Sequence, residues 1–176
     1  MFNLNLLFSG SGWERKGLRS ALLLLTLIIQ KNKRVKLWIA GNGNVNKFRK
    51  VAKGFGIDKN ITFLGEVENI ASFYQTSDFL ILPTKYDPFS NSCLEALASG
   101  CPFITSKNNG AKECIPKDLK NYIIPNFGEL ELKKVSTFLS TNKSTSKIDS
   151  TRISEYNQKK ELQKYLYILD PNNRTI

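Results

Sequence analysis

Short apolar runs alternate with longer amphipathic stretches along the first 140 residues. The runs at 35–40 and 79–82 are largely continuous in apolar character, which is typical of parallel strands that are buried on both faces. The stretches between the runs have helical spacing, and Gly, Pro or Asn residues separate the two kinds of segment. Strands are predicted at 3–8, 35–40, 61–64, 79–82, 103–105 and 122–124. Helices are predicted at 18–30, 45–53, 68–75, 91–99, 129–139 and 152–169, with one helical turn at 111–114.

This alternation predicts an α/β fold, a Rossmann-like doubly wound parallel sheet built from right-handed βαβ units. A chain of 176 residues has room for one such domain and for no second one. The stretch 140–151 is rich in Ser, Thr, Lys and Asn, which is typical of a linker. We therefore divide the chain into a domain at 1–140 and a segment at 141–176 that holds the linker and a C-terminal helix.

Composition narrows the class of protein. Apolar residues make up 41% of the chain and charged residues 23%, an ordinary globular balance. The longest apolar run, 21–29, is too short to cross a bilayer, and the chain does not open with a secretory signal. Cys93, Cys101 and Cys114 form no C-x-x-C pair, which favours reduced thiols and a cytoplasmic location. With no histidine and no clustered acids, no metal site is expected.

Charge is concentrated in the first third of the chain. The net charge is +11, and residues 1–60 carry twelve Lys and Arg side chains against Glu14 and Asp58. A basic face of this kind attracts anionic lipid, lipopolysaccharide, nucleoside diphosphates or nucleic acid. An ordinary solvated, lysine-rich surface is the equally open alternative. Because no aromatic platform or nucleic-acid motif accompanies the charge, nucleic acid is not an expected partner.

The stretch 86–100 carries the first candidate chemistry. A strand ends at Pro83, the chain turns through Asp87-Pro88, and a helix of small residues follows. A strand, a loop and a helix start in this order place free N–H groups at the carboxyl edge of a sheet, where phosphorylated ligands bind. Asp87 and Glu95 bracket the helix start with seven residues between them. The structural alternative is a turn at Asp87-Pro88 followed by a capping box at 92–95.

A second candidate loop, 10–17, follows the first predicted strand. Its Gly10-x-Gly12 pattern is weak by itself, because such turns are common between a strand and a helix. The adjacent cations Arg15 and Lys16 are more informative. They could neutralise a leaving diphosphate, Arg15 by a planar bidentate grip and Lys16 as a point charge. Two surface cations before a helix are the alternative.

Together the two motifs resemble those of retaining glycosyltransferases of the GT-B fold, family 4. The stretch 87–95 is similar to the E-x7-E motif of that family, with Asp87 in place of the first Glu. The resemblance implies that Asp87 faces the donor sugar and that Glu95 holds the ribose of a sugar nucleotide. It further implies that the backbone N–H groups of Phe89, Ser90 and Asn91 meet the diphosphate and the sugar.

The same resemblance assigns four further positions. Gly12 belongs to the glycine-bearing loop of the donor site, and Arg15 and Lys16 hold the phosphates and count with Asp87 as catalytic. Val67, just after the third predicted strand, is the candidate contact for the base. The stretch 109–113, which follows a turn predicted at 108–110, is similar to a later glycine turn and glutamate of the family.

The implied activity is transfer of a sugar from a nucleoside diphosphate sugar, a UDP-sugar first, with retention and without metal or cofactor. The expected acceptor is a surface glycan or a lipopolysaccharide-type molecule, reached by peripheral association with the inner face of an anionic membrane. GT-B enzymes have two halves, and this chain resembles the C-terminal, donor-binding half alone. Two explanations are open for the other half: a separate partner chain supplies it, or this chain is a fragment of a longer gene. A non-catalytic remnant that binds sugar nucleotides is the alternative.

Overall fold

Strands and helices alternate along the chain in the computed structural model. The structure describes residues 2–114 and 123–141. The strands are β1 (Leu4–Ser9), β2 (Val35–Ala40), β3 (Ile61–Gly65), β4 (Phe79–Leu82), β5 (Phe103–Ser106) and β6 (Ile123–Ile124). The helices are α1 (Trp13–Lys16), α2 (Leu18–Lys31), α3 (Val45–Gly54), α4 (Ile70–Thr76), α5 (Asn91–Ala98) and α6 (Glu129–Thr141). Single 3-10 turns lie at Asp58–Asn60 and Gly110–Cys114.

All six strands form one parallel sheet in the order β3-β2-β1-β4-β5-β6. β1 lies in the middle, where Leu6 pairs with Leu37 of β2 on one side and with Phe79 of β4 on the other. The chain order reverses between β1 and β4, and ligands of open α/β sheets bind outside the carboxyl ends of the strands at this reversal. The predicted doubly wound parallel fold is confirmed.

The core of the domain is the sheet with helices on both faces. Leu6, Leu7 and Phe8 follow one another on β1 and are all buried, so both faces of the central strand are covered. Helix α2 packs against α3 and α6, and α4 packs against α5. Helix α2, which was predicted at 18–30, is largely buried because it contacts both the sheet and α6.

Most element bounds agree with the pattern-based predictions, with small differences at the ends. The helix expected from residue 68 begins at Ile70, because residues 68 and 69 form a turn. The four-residue helix α1 was not predicted, since its glycine boundaries mask a helical pattern this short. The predicted linker and the helix at 152–169 lie outside the described residues. Within residues 2–114 and 123–141, no helix is both long and apolar enough to cross a bilayer.

Candidate functional site

Glycine turns close the carboxyl ends of β1, β2 and β3. The Gly10 N–H donates to the Ala40 carbonyl at 3.2 Å, and the Gly41 N–H donates to the Gly65 carbonyl at 2.7 Å. A Cβ atom on Gly41 would lie 2.6 Å from the backbone of Gly10, and the φ of Gly41 is +97°. The three turns therefore pack backbone against backbone, and a side chain at Gly41 would prevent this approach.

Helix α1 carries the two cations and is held between glycines. Gly12 precedes it with a φ of +75°, and Gly17 ends it with a φ of +83°. A Cβ on Gly17 would lie 2.0 Å from the carbonyl oxygen of Pro83, so the backbone that ends α1 packs directly against the backbone that follows β4. The Lys85 N–H also donates to the Arg15 carbonyl at 2.9 Å. The reversal between β1 and β4 is thus bridged by backbone contacts.

Arg15, Lys16 and Asp87 form one ion-pair cluster at this reversal. Both cations contact the same carboxylate oxygen, Asp87 Oδ2, with Lys16 Nζ at 3.2 Å and an Arg15 nitrogen at 3.3 Å. The Lys16 and Asp87 side chains are only 10% and 8% exposed, whereas that of Arg15 is 49% exposed. Arg15 also donates to the Tyr86 carbonyl at 2.8 Å. The structure therefore brings these three side chains together, although Asp87 lies about 70 residues from the two cations in the sequence.

The backbone of Asp87 is fixed as firmly as its side chain. Its N–H donates to the Asn108 carbonyl at 3.2 Å, and its own carbonyl accepts from the Gly110 N–H at 2.9 Å. A Cβ on Gly110 would lie 1.8 Å from the Pro88 carbonyl oxygen, so the two loops touch at the backbone. The buried Asn109 amide donates to Thr105 Oγ1 at 2.9 Å and anchors the second loop to β5. The turn at 108–113, which the sequence singled out, positions Asp87.

Helix α5 begins beside this cluster, with Ser90 as its N-cap. The Asn91 and Ser92 N–H groups lie in its first turn, where no carbonyl of the helix can accept from them. The Ser90 hydroxyl is buried next to the Cys93 thiol and makes no hydrogen bond to a described oxygen or nitrogen atom. This end of α5 therefore has the donors and the dipole of an anion site.

The capping-box alternative for 92–95 is wrong. Ser92 lies inside α5 rather than at its N-cap, and its hydroxyl donates to the carbonyl of Ser9 at the end of β1 at 3.2 Å. Glu95 does not reach back to the helix start. Its carboxylate accepts a hydrogen bond from Tyr74 instead.

Glu95 stands in a different environment from Asp87. It is exposed on α5, and its Oε2 atom accepts a 3.0 Å hydrogen bond from the phenol of Tyr74 on α4. Burial raises the pKa of Tyr74 above its ordinary value, and the neighbouring Glu95 carboxylate raises it further, so the phenol keeps its proton. Sequence reasoning missed Tyr74, because a single tyrosine in a short amphipathic helix carries no spacing signal.

The remaining predicted site residues lie around these two acids. Phe89 is half-buried and packs against the core, and Asn91 is exposed on the first turn of α5. Gly12 is exposed with no atom within 4 Å of the place that a Cβ would occupy, so a ligand could approach its backbone. Val67 follows β3 at the same sheet edge and is half-buried. Their contacts with a donor stay predictions.

Cys93, on α5, lies between Asp87 and Glu95 in the sequence. It is not a candidate nucleophile. Burial raises the pKa of its thiol to about 12, so the thiol is neutral at physiological pH. The Asn109 amide donates to its sulfur atom at 3.4 Å. Among residues 2–114 and 123–141, no group of three His, Cys, Asp or Glu side chains that could hold a metal ion occurs. Metal independence of the chemistry stays a prediction.

Comparison with known proteins identifies the family. The family model for glycosyl transferases group 1 matches residues 3–139. An uncharacterised glycosyltransferase of Methanocaldococcus jannaschii is 28% identical over 117 residues, which cover 65% of this chain and 30% of that protein. The chain spans less than a third of the length of the curated relatives it matches.

Two solved structures have the same fold. HepE of Anabaena, in complex with UDP-glucose, superposes with a TM-score of 0.72 at 17% identity, over 88% of this chain and 44% of that one. The C-terminal domain of LpcC, a glycosyl transferase group 1 family protein of Francisella tularensis, superposes with a TM-score of 0.68 at 19% identity, over 85% of each chain. The chain therefore belongs to the glycosyl transferases group 1 family, and its described part has the fold of a GT-B C-terminal, Rossmann-like domain.

Proposed function

We propose that this chain is the donor-binding domain of a glycosyltransferase that uses a nucleoside diphosphate sugar, a UDP-sugar first. The observation that carries the proposal is the cluster of Arg15, Lys16 and Asp87 beside the N-terminus of α5, at the reversal between β1 and β4. The UDP-glucose bound to HepE, which has the same fold, supports the choice of a uridine nucleotide.

The diphosphate would lie between the two cations and the first turn of α5. Arg15 is about half exposed, and both of its contacts, with the Tyr86 carbonyl and with Asp87, use the Nη1 atom, so the Nη2 and Nε donors can grip a phosphate. Lys16 supplies a nearly buried positive charge, where the surrounding protein screens it less than water would. The N–H groups of Ser90 and Asn91 add donors at the positive end of the α5 dipole.

These groups would stabilise the charge that develops on the diphosphate as it leaves. Preorganised donors and charges aimed at a developing anion are usually the largest single contribution to catalysis. In this proposal Arg15 and Lys16 supply that stabilisation without a metal ion. Asp87 holds both cations in place and contacts the donor sugar through the carboxylate oxygen that the cations leave. Transfer with retention is part of the proposal, by resemblance to family 4.

The nucleoside would extend from the diphosphate toward Glu95 and β3. Glu95 accepts hydrogen bonds from the ribose hydroxyls, and Val67 lies under the base. Gly12 and Phe89 line the path between the sugar and the nucleotide. The proposed acceptor is a surface glycan or lipopolysaccharide-type molecule, because residues 1–60 carry a strong excess of positive charge. A second chain or segment would supply the acceptor half.

Calorimetric titration with UDP-, GDP- and ADP-sugars tests the proposal. We expect one of them, with UDP-glucose as the first choice, to bind the folded chain, and we expect Arg15→Ala to weaken that binding about tenfold or more. Arg49→Ala is the matched control, since Arg49 is an exposed cation on α3 that stacks on Phe63, whereas the cations paired with Asp87 are Arg15 and Lys16. Failure of all three nucleotide sugars to bind the folded protein would overturn the proposal.

Turnover distinguishes a catalytic domain from the non-catalytic alternative. An acceptor half of the same family, supplied as a separate chain with a lipid-linked or soluble acceptor, should restore release of the nucleoside diphosphate. Binding of the donor without any such release would favour the non-catalytic remnant.

A further inference from the structure

We propose that Tyr74 is the positioning residue for Glu95, because its phenol holds the Glu95 carboxylate where the ribose of the nucleotide binds. The inference rests on the proposed function, in which Glu95 is the ribose ligand. Nothing in the E-x7-E pattern points to this tyrosine. It lies 21 residues before Glu95, on a different helix.

The contact joins a buried side chain to an exposed one. Tyr74 is 1% exposed and lies in the interface where α4 packs against α5. Glu95 is exposed, and a surface glutamate without a partner loses considerable rotamer entropy when a ligand orders it. The 3.0 Å bond from the Tyr74 hydroxyl to Glu95 Oε2 removes much of that freedom before any ligand arrives.

Two hydroxyl side chains lie near the Tyr74 phenol. Ser9, at the end of β1, and Ser92, on α5, each lower the pKa of Tyr74, against the larger effect of burial, which raises it. The Ser92 hydroxyl also donates to the Ser9 carbonyl at 3.2 Å, which ties α5 to the central strand. A small hydroxyl cluster therefore links the end of β1 to Glu95 through Tyr74. The same end of β1 leads into the glycine loop that carries Arg15 and Lys16.

The bond leaves Glu95 able to bind a diol. A carboxylate has about four acceptor sites, and the phenol of Tyr74 uses one of them on Oε2. The other positions can accept from both hydroxyls of a ribose. Because Tyr74 donates to Glu95 and is placed in no contact with the nucleotide, its loss should lower the preference for a ribose and spare every other part of nucleotide binding.

A cycle of two ligands and three proteins tests this role. UDP and 2′,3′-dideoxyuridine diphosphate are titrated by calorimetry into the wild type, Tyr74→Phe and Glu95→Gln. We expect the wild type to prefer UDP about tenfold, Glu95→Gln to prefer it about twofold or less, and Tyr74→Phe to prefer it about threefold. The affinity of Tyr74→Phe for the dideoxy nucleotide should equal that of the wild type.

Thr76→Val is the matched control, because it also removes one hydroxyl from α4. Within residues 2–114 and 123–141, the Thr76 hydroxyl bonds only to carbonyls of its own helix, those of Ser72 and Phe73, so this variant should keep the full tenfold preference. If Tyr74→Phe does not fold, Tyr74→Met replaces it, because it also fills the buried site with an apolar side chain and removes the donor to Glu95.

Each outcome decides the matter. An unchanged preference in Tyr74→Phe, or in Tyr74→Met where it is used instead, overturns the inference. Equal weakening of both nucleotides by Tyr74→Phe also overturns it, since that pattern indicates a purely structural tyrosine. A wild type that binds both nucleotides equally removes the role of Glu95 and the inference while leaving donor binding in place. A folded wild type that binds neither nucleotide overturns the proposed function and this inference with it.

Discussion

The two acids of the same short motif occupy opposite environments. Asp87 is nearly buried, contacts two cations, and has its backbone hydrogen-bonded on both sides. Glu95 is exposed on α5, and its carboxylate accepts a hydrogen bond from the neutral phenol of Tyr74. Two acids that belong to one motif therefore need not have the same role in the fold. Asp87 stabilises the packing at the reversal between β1 and β4, whereas Glu95 is accessible to a ligand.

This difference has a physical origin. A buried ion pair needs both of its members, because either one alone leaves an uncompensated charge in a region of low dielectric. An exposed carboxylate keeps its hydration whether or not its partner is present, so its removal costs little. Substitutions at the two ends of the motif should therefore separate stability from ligand binding.

The largest expected effect follows from Asp87→Asn. The change leaves Lys16 nearly buried without its carboxylate, so we expect the free energy of unfolding to fall by about 3 kcal/mol or more. Urea denaturation followed by circular dichroism measures this. The double variant with Lys16→Met removes the uncompensated charge and should be more stable than Asp87→Asn alone. A loss of less than about 1 kcal/mol in Asp87→Asn would contradict the comparison.

Gly110→Ala should weaken the same end of the motif through packing. The added methyl would lie 1.8 Å from the Pro88 carbonyl oxygen, so the loop that hydrogen-bonds Asp87 must move. We expect a loss of about 2–3 kcal/mol in the same denaturation experiment. Gly54→Ala, at the end of α3 where no atom lies within 4 Å, is the control and should be neutral or stabilising by up to about 1 kcal/mol. Equal stabilities for the two variants would refute this account.

Glu95→Gln should show the reverse pattern. We expect the free energy of unfolding to stay within about 0.5 kcal/mol of the wild type, because Gln can still accept from Tyr74 at an exposed position. Nucleotide affinity measured by calorimetry should fall nevertheless, since the amide is a weaker acceptor for ribose hydroxyls than a carboxylate. A destabilisation as large as that of Asp87→Asn would show that both acids are structural.

The smallest effect concerns Cys93, which lies between the two acids. Burial raises the pKa of its thiol from 9.0 to about 12, so the unfolded thiol ionises first. The stability that this group contributes is therefore present below pH 9 and is lost as the pH rises from about 9 to about 12. At pH 8, with Cys114 replaced by Ser, neither buried thiol, Cys93 or Cys101, should react with a disulfide reagent before denaturant is added. Rapid labelling of the native protein would contradict the burial.

The secondary structure and the sheet could be predicted from the sequence because they depend on local periodicity. Buried parallel strands such as β2 and β4 are continuous apolar runs, and Gly or Pro residues end them. The carboxyl-edge placement of Arg15 and Asp87 followed from the same logic, since each motif comes after a strand. The contacts between Arg15 and Asp87 could not be predicted in this way. They depend on which strands are neighbours, and the strand order is a property of the whole sheet.

By itself, then, the chain's sequence determined an α/β domain with a cationic loop and an acid-bearing helix start at one sheet edge. Only the tertiary structure decided how the two acids are used. β1 and β4 become neighbours through a crossover, and that pairing gives Asp87 its two cations. The packing of α4 on α5 gives Glu95 its phenol. Such contacts join residues distant in sequence, so no local pattern of apolar and polar positions encodes them.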